Sequence, residues 1–315
     1  MSSSPLRIVS LIPSATEIVA RLHLTEHLVG CSHECDYPPA IANRPVCTAP
    51  KFNPVGTSGE IHDRVTQLLQ SALAVYRVNT DLLAQLQPTH ILTQAQCEVC
   101  AVSLADVQQA VATLVTGQPR VISLQPRVLA DVWADIHRVA VALSTPDYNV
   151  EPVAVATIAQ LKARVDACVH QTQAIVKRPT VACIEWTEPL MAAGNWVPEL
   201  VELAGGQCLF GTIGEHSPWL EPEAIIAADP DVIVVMPCGF DLPRTTQEAS
   251  LLLQRPDWKG LKAVRNGRIY ATDGNHYFNR PGPRLVDSLE ILVEILHPDC
   301  ITPRYQGIGW LALEF

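Results

Sequence analysis

Along this chain, short apolar runs rich in valine and isoleucine alternate with stretches whose apolar residues recur every three or four positions. The first kind reads as strands buried on both faces and the second as helices with one apolar stripe. Their alternation predicts α/β layers around mostly parallel sheets. Residues 7–11, 27–30, 90–93 and 120–123 read as strands of a first half, and 180–184, 231–236 and 268–271 as strands of a second. Just after the first strand, Ser14 and Glu17 have the spacing of a capping box, opening a helix that carries Ile18, Val19 and Leu22. Residues 129–177 read as almost wholly helical, with a break at Ser144-Thr145-Pro146 and a stripe of Ile158, Leu161, Val165, Cys168 and Val169. A helix over 198–203 stops at Gly205-Gly206, and a last helix covers 283–296. The expected fold is α/β: two Rossmann-like lobes joined by a long backbone helix. The N-terminal lobe is expected over 1–126, linking helices over 127–178, the C-terminal lobe over 179–299, and over 300–315 a tail whose docking place the pattern leaves open.

One unit occurs in both halves. Asp81 opens a short helix that runs to Pro88 and then to an apolar strand, and Glu223 does the same ahead of Pro230. A carboxylate in a first helical turn is stabilised by the helix dipole, which accounts for each acid singly. The matched pair, one per half, suggests a duplicated lobe.

The 315 residues are 48% hydrophobic and 17% charged, which suits two packed cores and not a disordered chain. A net charge of −10 argues against nucleic acid as a partner. The chain has no apolar run of the roughly 20 residues that span a bilayer, and no secretory signal fits before Pro13. The expectation is a cytoplasmic protein, or a periplasmic one if the true start lies upstream. In a reducing compartment the ten cysteines are expected to be mainly thiols. Cys168 and Cys183 lie in apolar periodic stretches and read as small core residues.

Ligands of parallel sheets sit beyond the carboxyl ends of the strands, so the residues following each predicted strand are the informative ones. They are Cys31, His33, Glu34, Cys35 and Tyr37; Cys97 and Cys100; Glu185 and Trp186; Cys238; and the run from Asp273 to Arg280. Tyr37, Trp186, Trp219 and Tyr277 suit the walls of a pocket for a large flat ligand. His33 and Glu185 add an imidazole and a carboxylate, and Arg280 suits anionic or amide groups of a ligand. Cys97 and Cys100 form one C-x-x-C pair, which needs further ligands to hold zinc or iron; Cys31, Cys35 and Cys238 are the candidates. The chain lacks G-x-G-x-x-G, the P-loop motif and H-E-x-x-H, and Gly56-Thr57-Ser58-Gly59 is one residue short of a nucleophile elbow and follows no predicted strand, so dinucleotide, NTP and serine-hydrolase readings lose their main support.

Leu11-Ile12-Pro13-Ser14-Ala15-Thr16-Glu17, then Asp36-Tyr37-Pro38-Pro39, the two acid–helix–proline–strand units, and the segment from Phe278 to Arg284 together resemble periplasmic vitamin B12-binding proteins of ABC importers. The resemblance covers about residues 7–297. It implies the type III periplasmic-binding-protein fold, with a corrinoid such as cobalamin as ligand, held by Tyr37, Trp186, Trp219 and Tyr277. It also implies docking of Asp81 and Glu223 on arginines of an ABC permease, if the protein is exported. The cysteine-rich loops depart from the importer pattern and resemble a subgroup of cobalamin-binding proteins. Two further readings use the same residues: a thiol- or metal-dependent enzyme or metal-handling protein, and an iron-chelate or haem binder.

Overall fold

A computed structural model describes residues 5–71, 75–95, 102–112, 118–145, 148–299 and 301–313. Its chain divides into two compact units. One holds the residues through Gly56, Asp63–Pro126 and Ala130–Gln160; the other holds Thr57–His62, Arg127–Leu129 and the chain from Leu161 onward.

The first unit contains β1 (Ile8–Ser10), α1 (Pro13–Arg21), β2 (Leu28–Cys31), β3 (Thr48–Pro50), most of α2 (Ser58–Gln70), β4 (Tyr76–Val78), α3 (Thr80–Leu86), β5 (His90–Gln94), α4 (Leu104–Ala112), β6 (Arg120–Leu124) and all but the first residue of α5 (Leu129–Leu143). Its main sheet has the order β2-β1-β5-β6 with every pairing parallel. Val9, Leu11, Leu83, Ile91 and Val107 are among the buried residues packed in its core. The capping box is not formed. Pro13 has no N–H to leave unsatisfied and occupies the first helical turn, so the helix begins there, Ile12 takes the cap position without a side-chain bond, and Ser14 is buried inside the turn.

Helix α6 (Glu151–Thr172) carries the chain from one unit into the other. Its buried positions are Ala154, Thr157, Leu161, Cys168 and Thr172, a narrower seam than the predicted stripe, and Val169 is exposed. Arg164 lies among the half-buried positions of α6 and is paired with Asp287 and Glu290. The helix face is therefore closed partly by an ion-pair cluster, which an apolar-period reading does not count.

The second unit contains β7 (Thr180–Thr187), β8 (Leu190–Ala192), α7 (Val197–Leu203), β9 (Gln207–Cys208), α8 (Pro222–Ala228), β10 (Val232–Val235), α9 (Leu242–Leu253), α10 (Lys262–Arg265), β11 (Ile269–Thr272), α11 (Leu285–Leu296) and β12 (Trp310–Ala312). Its sheet has the order β12-β11-β10-β7-β8, with β9 also on β7; β7, β9, β10 and β11 pair in parallel and β8 and β12 are antiparallel. Helix α7 ends as its glycines predict. Gly205 takes a left-handed φ of 74°, and the Gly206 N–H reaches back to the Val201 carbonyl at 2.9 Å.

The tail docks as β12 along the edge of β11. It is held from below by Glu294 of α11, which is 4% exposed. This carboxylate accepts the backbone N–H groups of Arg304 and Tyr305 and the indole N–H of Trp310, at 2.6 to 3.2 Å. Removing it strands several buried donors, each costing about 1–3 kcal/mol. Glu294→Ala is therefore expected to lower the unfolding free energy by about 2–4 kcal/mol in urea denaturation; an unchanged midpoint would refute this anchoring.

Candidate functional site

In the first unit, the groups of interest collect where β2 ends. Cys31 is the last residue of that strand, not part of the following loop, and is buried. Its backbone is clasped by the neighbouring segment: its N–H reaches the Pro45 carbonyl and its carbonyl accepts the Cys47 N–H. His33 is aligned by Thr48, whose hydroxyl accepts the His33 backbone N–H at 3.1 Å and lies 2.7 Å from the ring Nδ1. The imidazole stands 5.4 Å from the Tyr76 ring, and desolvation lowers its pKa below the ordinary histidine value. Tyr37 precedes a cis proline and is 40% exposed. The Cys35 thiol turns inward, 3.1 Å from the Thr16 hydroxyl and 3.3 Å from that of Ser32.

In the second unit, the ends of β7, β10 and β11 build one connected patch. Glu185 accepts the Ser217 hydroxyl at 2.7 Å through its carboxylate, and its backbone carbonyl accepts the Cys238 N–H at 3.4 Å. Trp186 packs its ring 5.4 Å from Phe240; its indole nitrogen is buried with no hydrogen-bond partner among the described residues. The Phe240 carbonyl accepts the Asn275 N–H at 2.9 Å, which joins the aromatic pair to the turn after β11. That turn is a single π-helical stretch, Gly274–Phe278, a rare geometry that is frequent at functional sites. Asp273 caps it through the His276 N–H at 2.7 Å and also holds the His276 Nδ1 at 3.0 Å. Gly274 is required here, because a Cβ would collide with the Pro237 carbonyl. Asn279 locks the same contact by donating to the carbonyls of Met236 and Gly274.

The remaining candidates have different surroundings. Tyr277 stacks edge-on with Tyr305, at 6.0 Å, beneath the guanidinium of Arg284. Arg280 is only 5% exposed and donates to the Asn275 side chain at 2.8 Å, so it braces the turn from inside the unit. Trp219 is 58% exposed, with its ring against His62. Asp81 and Glu223 are exposed in the first turns of α3 and α8. Cys97 and Cys100 lie outside the described residues. Among the described residues, no group of three or more His, Cys, Asp or Glu is assembled to hold a metal. Cys31 and Cys35 come together, whereas Cys238 belongs to the other unit, so these three do not provide the donor set of a zinc or iron site within either unit.

Phe240 was missed by the strand-end reading, and His276 lay inside the run from Asp273 to Arg280 but was passed over in favour of Tyr277 and Arg280. The available signal was the three-residue step from Asp273 to His276 after a strand, which lets a cap carboxylate also orient an imidazole.

Residues 8–275 match the family model described as periplasmic binding protein. A cobalamin-binding protein of Halobacterium salinarum is 24% identical over 303 residues, covering 94% of this chain and 71% of that relative. Among solved structures, the periplasmic haem-binding protein of Roseiflexus sp. RS-1 superposes with a TM-score of 0.68 at 24% identity, covering 95% of this chain and 100% of the other. The periplasmic vitamin B12 binding protein of Vibrio cholerae does so with 0.64 at 19% identity, covering 93% and 96%. The two α/β units joined by a long helix are the type III periplasmic-binding-protein fold, and this chain belongs to the periplasmic binding protein family.

Proposed function

We propose that this protein binds a corrinoid, a flat cobalt macrocycle, and carries it without making or breaking bonds. The supporting observation is the patch of the second unit, where the Trp186–Phe240 pair lies one residue from the His276–Asp273 pair. Aromatic faces contribute broad apolar contact to a ring system at small entropic cost. A carboxylate-oriented imidazole is a strengthened ligand for a metal at the ring's centre. His33 and Tyr37 at the end of β2 offer a matching set in the first unit. The curated relatives called cobalamin-binding favour cobalt over iron.

Titration of the purified protein with hydroxocobalamin, followed by visible absorbance, is expected to saturate at one equivalent with a Kd of about 1 μM or tighter. Absence of binding at high micromolar concentration would exclude the corrinoid. Tighter binding of haemin in the parallel titration would move the reading to haem. Trp186→Ala is expected to weaken binding about tenfold, as loss of one stacked aromatic does. His276→Ala is expected to shift the absorption bands of the bound corrinoid, and an unshifted spectrum would remove His276 from the cobalt.

We further propose that Asp81 and Glu223 dock the carrier on an ABC permease. Both acids are exposed, in matching positions of matching units. With a purified B12-type ABC permease, addition of this protein is expected to raise ATPase activity. The Asp81→Ala/Glu223→Ala variant should fail to do so while titrating with cobalamin normally. Equal stimulation by both proteins would refute the docking.

A further inference from the structure

Helix α9 begins beside the aromatic pair of the second unit. Asp241 caps its first turn by accepting the Arg244 N–H at 3.0 Å, and the Arg244 side chain lies back over Phe240. The guanidinium carbon stands 3.6 Å from the centre of that ring, well inside the range of a cation–π contact. Phe240 is 2% exposed and packs 5.4 Å from Trp186. Arg244, Phe240 and Trp186 thus form one stack at the carboxyl ends of β7 and β10. The stack adjoins the turn that presents His276, because the Phe240 carbonyl accepts the Asn275 N–H at 2.9 Å.

Stacking engages the flat face of a guanidinium, while its N–H groups lie in the plane and point past the ring, a geometry that suits a carboxylate. The surroundings favour an anion there. Arg244 is half-buried, and desolvation holds its pKa below the ordinary arginine value although Glu248 and Asp241 act the other way. Glu248, one turn further along α9, accepts the Ser58 N–H and the hydroxyls of Ser58 and Thr187. Asp241 is exposed, where water weakens its field. Two further carboxylates of the patch, Glu185 and Asp273, accept the Ser217 hydroxyl and the His276 N–H.

We propose that Arg244 is a specificity residue of this patch: it recognises a carboxylate on the rim of the macrocycle, so the preferred corrinoids carry free carboxylate side chains in place of amides. The proposal rests on the corrinoid reading and narrows its ligand class. An amide side chain offers the guanidinium a neutral carbonyl, whereas a carboxylate offers a charged partner with two acceptor oxygens, and charge-assisted pairs are the stronger ones. The gain is larger at a partly desolvated cation than at one in bulk water. The net charge of −10 works against any polyanionic ligand. A preference for the acid form therefore has to come from a local cation, and Arg244 is the one stacked on the aromatic pair.

The full-length protein is titrated by calorimetry with dicyanocobyrinic acid, whose side chains are free acids, and with dicyanocobinamide, whose side chains are amides. Both carry the same axial cyanides, so the comparison isolates the rim of the ring. The acid is expected to bind about tenfold tighter, as one charge-assisted hydrogen bond in place of a neutral one implies. Its advantage should shrink as salt is added. Arg244→Met, which keeps an unbranched chain against Phe240, should bring the ratio of the two affinities close to one, and Arg244→Lys should restore part of it. A merely structural role for Arg244 would weaken both ligands alike and leave the ratio unchanged. The wild-type ratio and its salt dependence need no variant to fold. Equal or weaker binding of the acid by the wild type, or a preference that survives in Arg244→Met, would overturn the proposal and leave the corrinoid reading standing. Failure of both compounds to bind would overturn the two together.

Discussion

The central strands of both sheets are buried on both faces: β1, β10 and β11 are buried at every position and β5 at all but its first. A strand in that position has no room for a functional side chain along its length, because an uncompensated polar group there costs several kcal/mol. Chemistry is confined to the carboxyl ends, where the chain leaves the sheet and the backbone meets solvent. The same constraint produces the apolar cores and places Cys35, His33, Glu185, Trp186 and His276 where they are.

At those ends, precision comes from backbone contacts and not from side-chain packing. The turn after β11 sits against the end of β10 because Gly274 has no Cβ to obstruct the Pro237 carbonyl. Asn279 then ties both segments through two carbonyls. Asp273 can serve His276 as cap and as ring partner only because that turn is fixed. Below it, Glu290 links Arg164 of α6 to the Tyr305 hydroxyl, so the tail, α11 and α6 share one carboxylate.

The repeated acid–helix–proline unit has a local structural counterpart in each half. Helices α3 and α8 each end on a residue in left-handed conformation, Gln87 and Asp229, whose N–H returns to a buried Leu83 or Ile225. Each then passes through proline into a central parallel strand, β5 or β10. Sequence spacing was sufficient to find this unit, since everything that defines it lies within fourteen residues.

Local pattern alone thus determined the α/β class, the alternation of strands and helices, the helix stop at Gly205-Gly206 and the cysteines that belong to the core. These depend on periodicity and on backbone preferences carried by neighbouring residues. The strand ends were legible too, and with them most of the residues that line the two patches. The start of α1 was not, because proline at the first helical position competed with a well-spaced capping box. Nor were the donors that turn the Cys35 thiol, the burial of Arg280 behind Asn275, the pairing of Asp273 with His276, or the seat of the tail on Glu294. Each of these joins groups whose approach depends on how the sheets and helices pack, and nothing in their spacing along the chain encodes that approach.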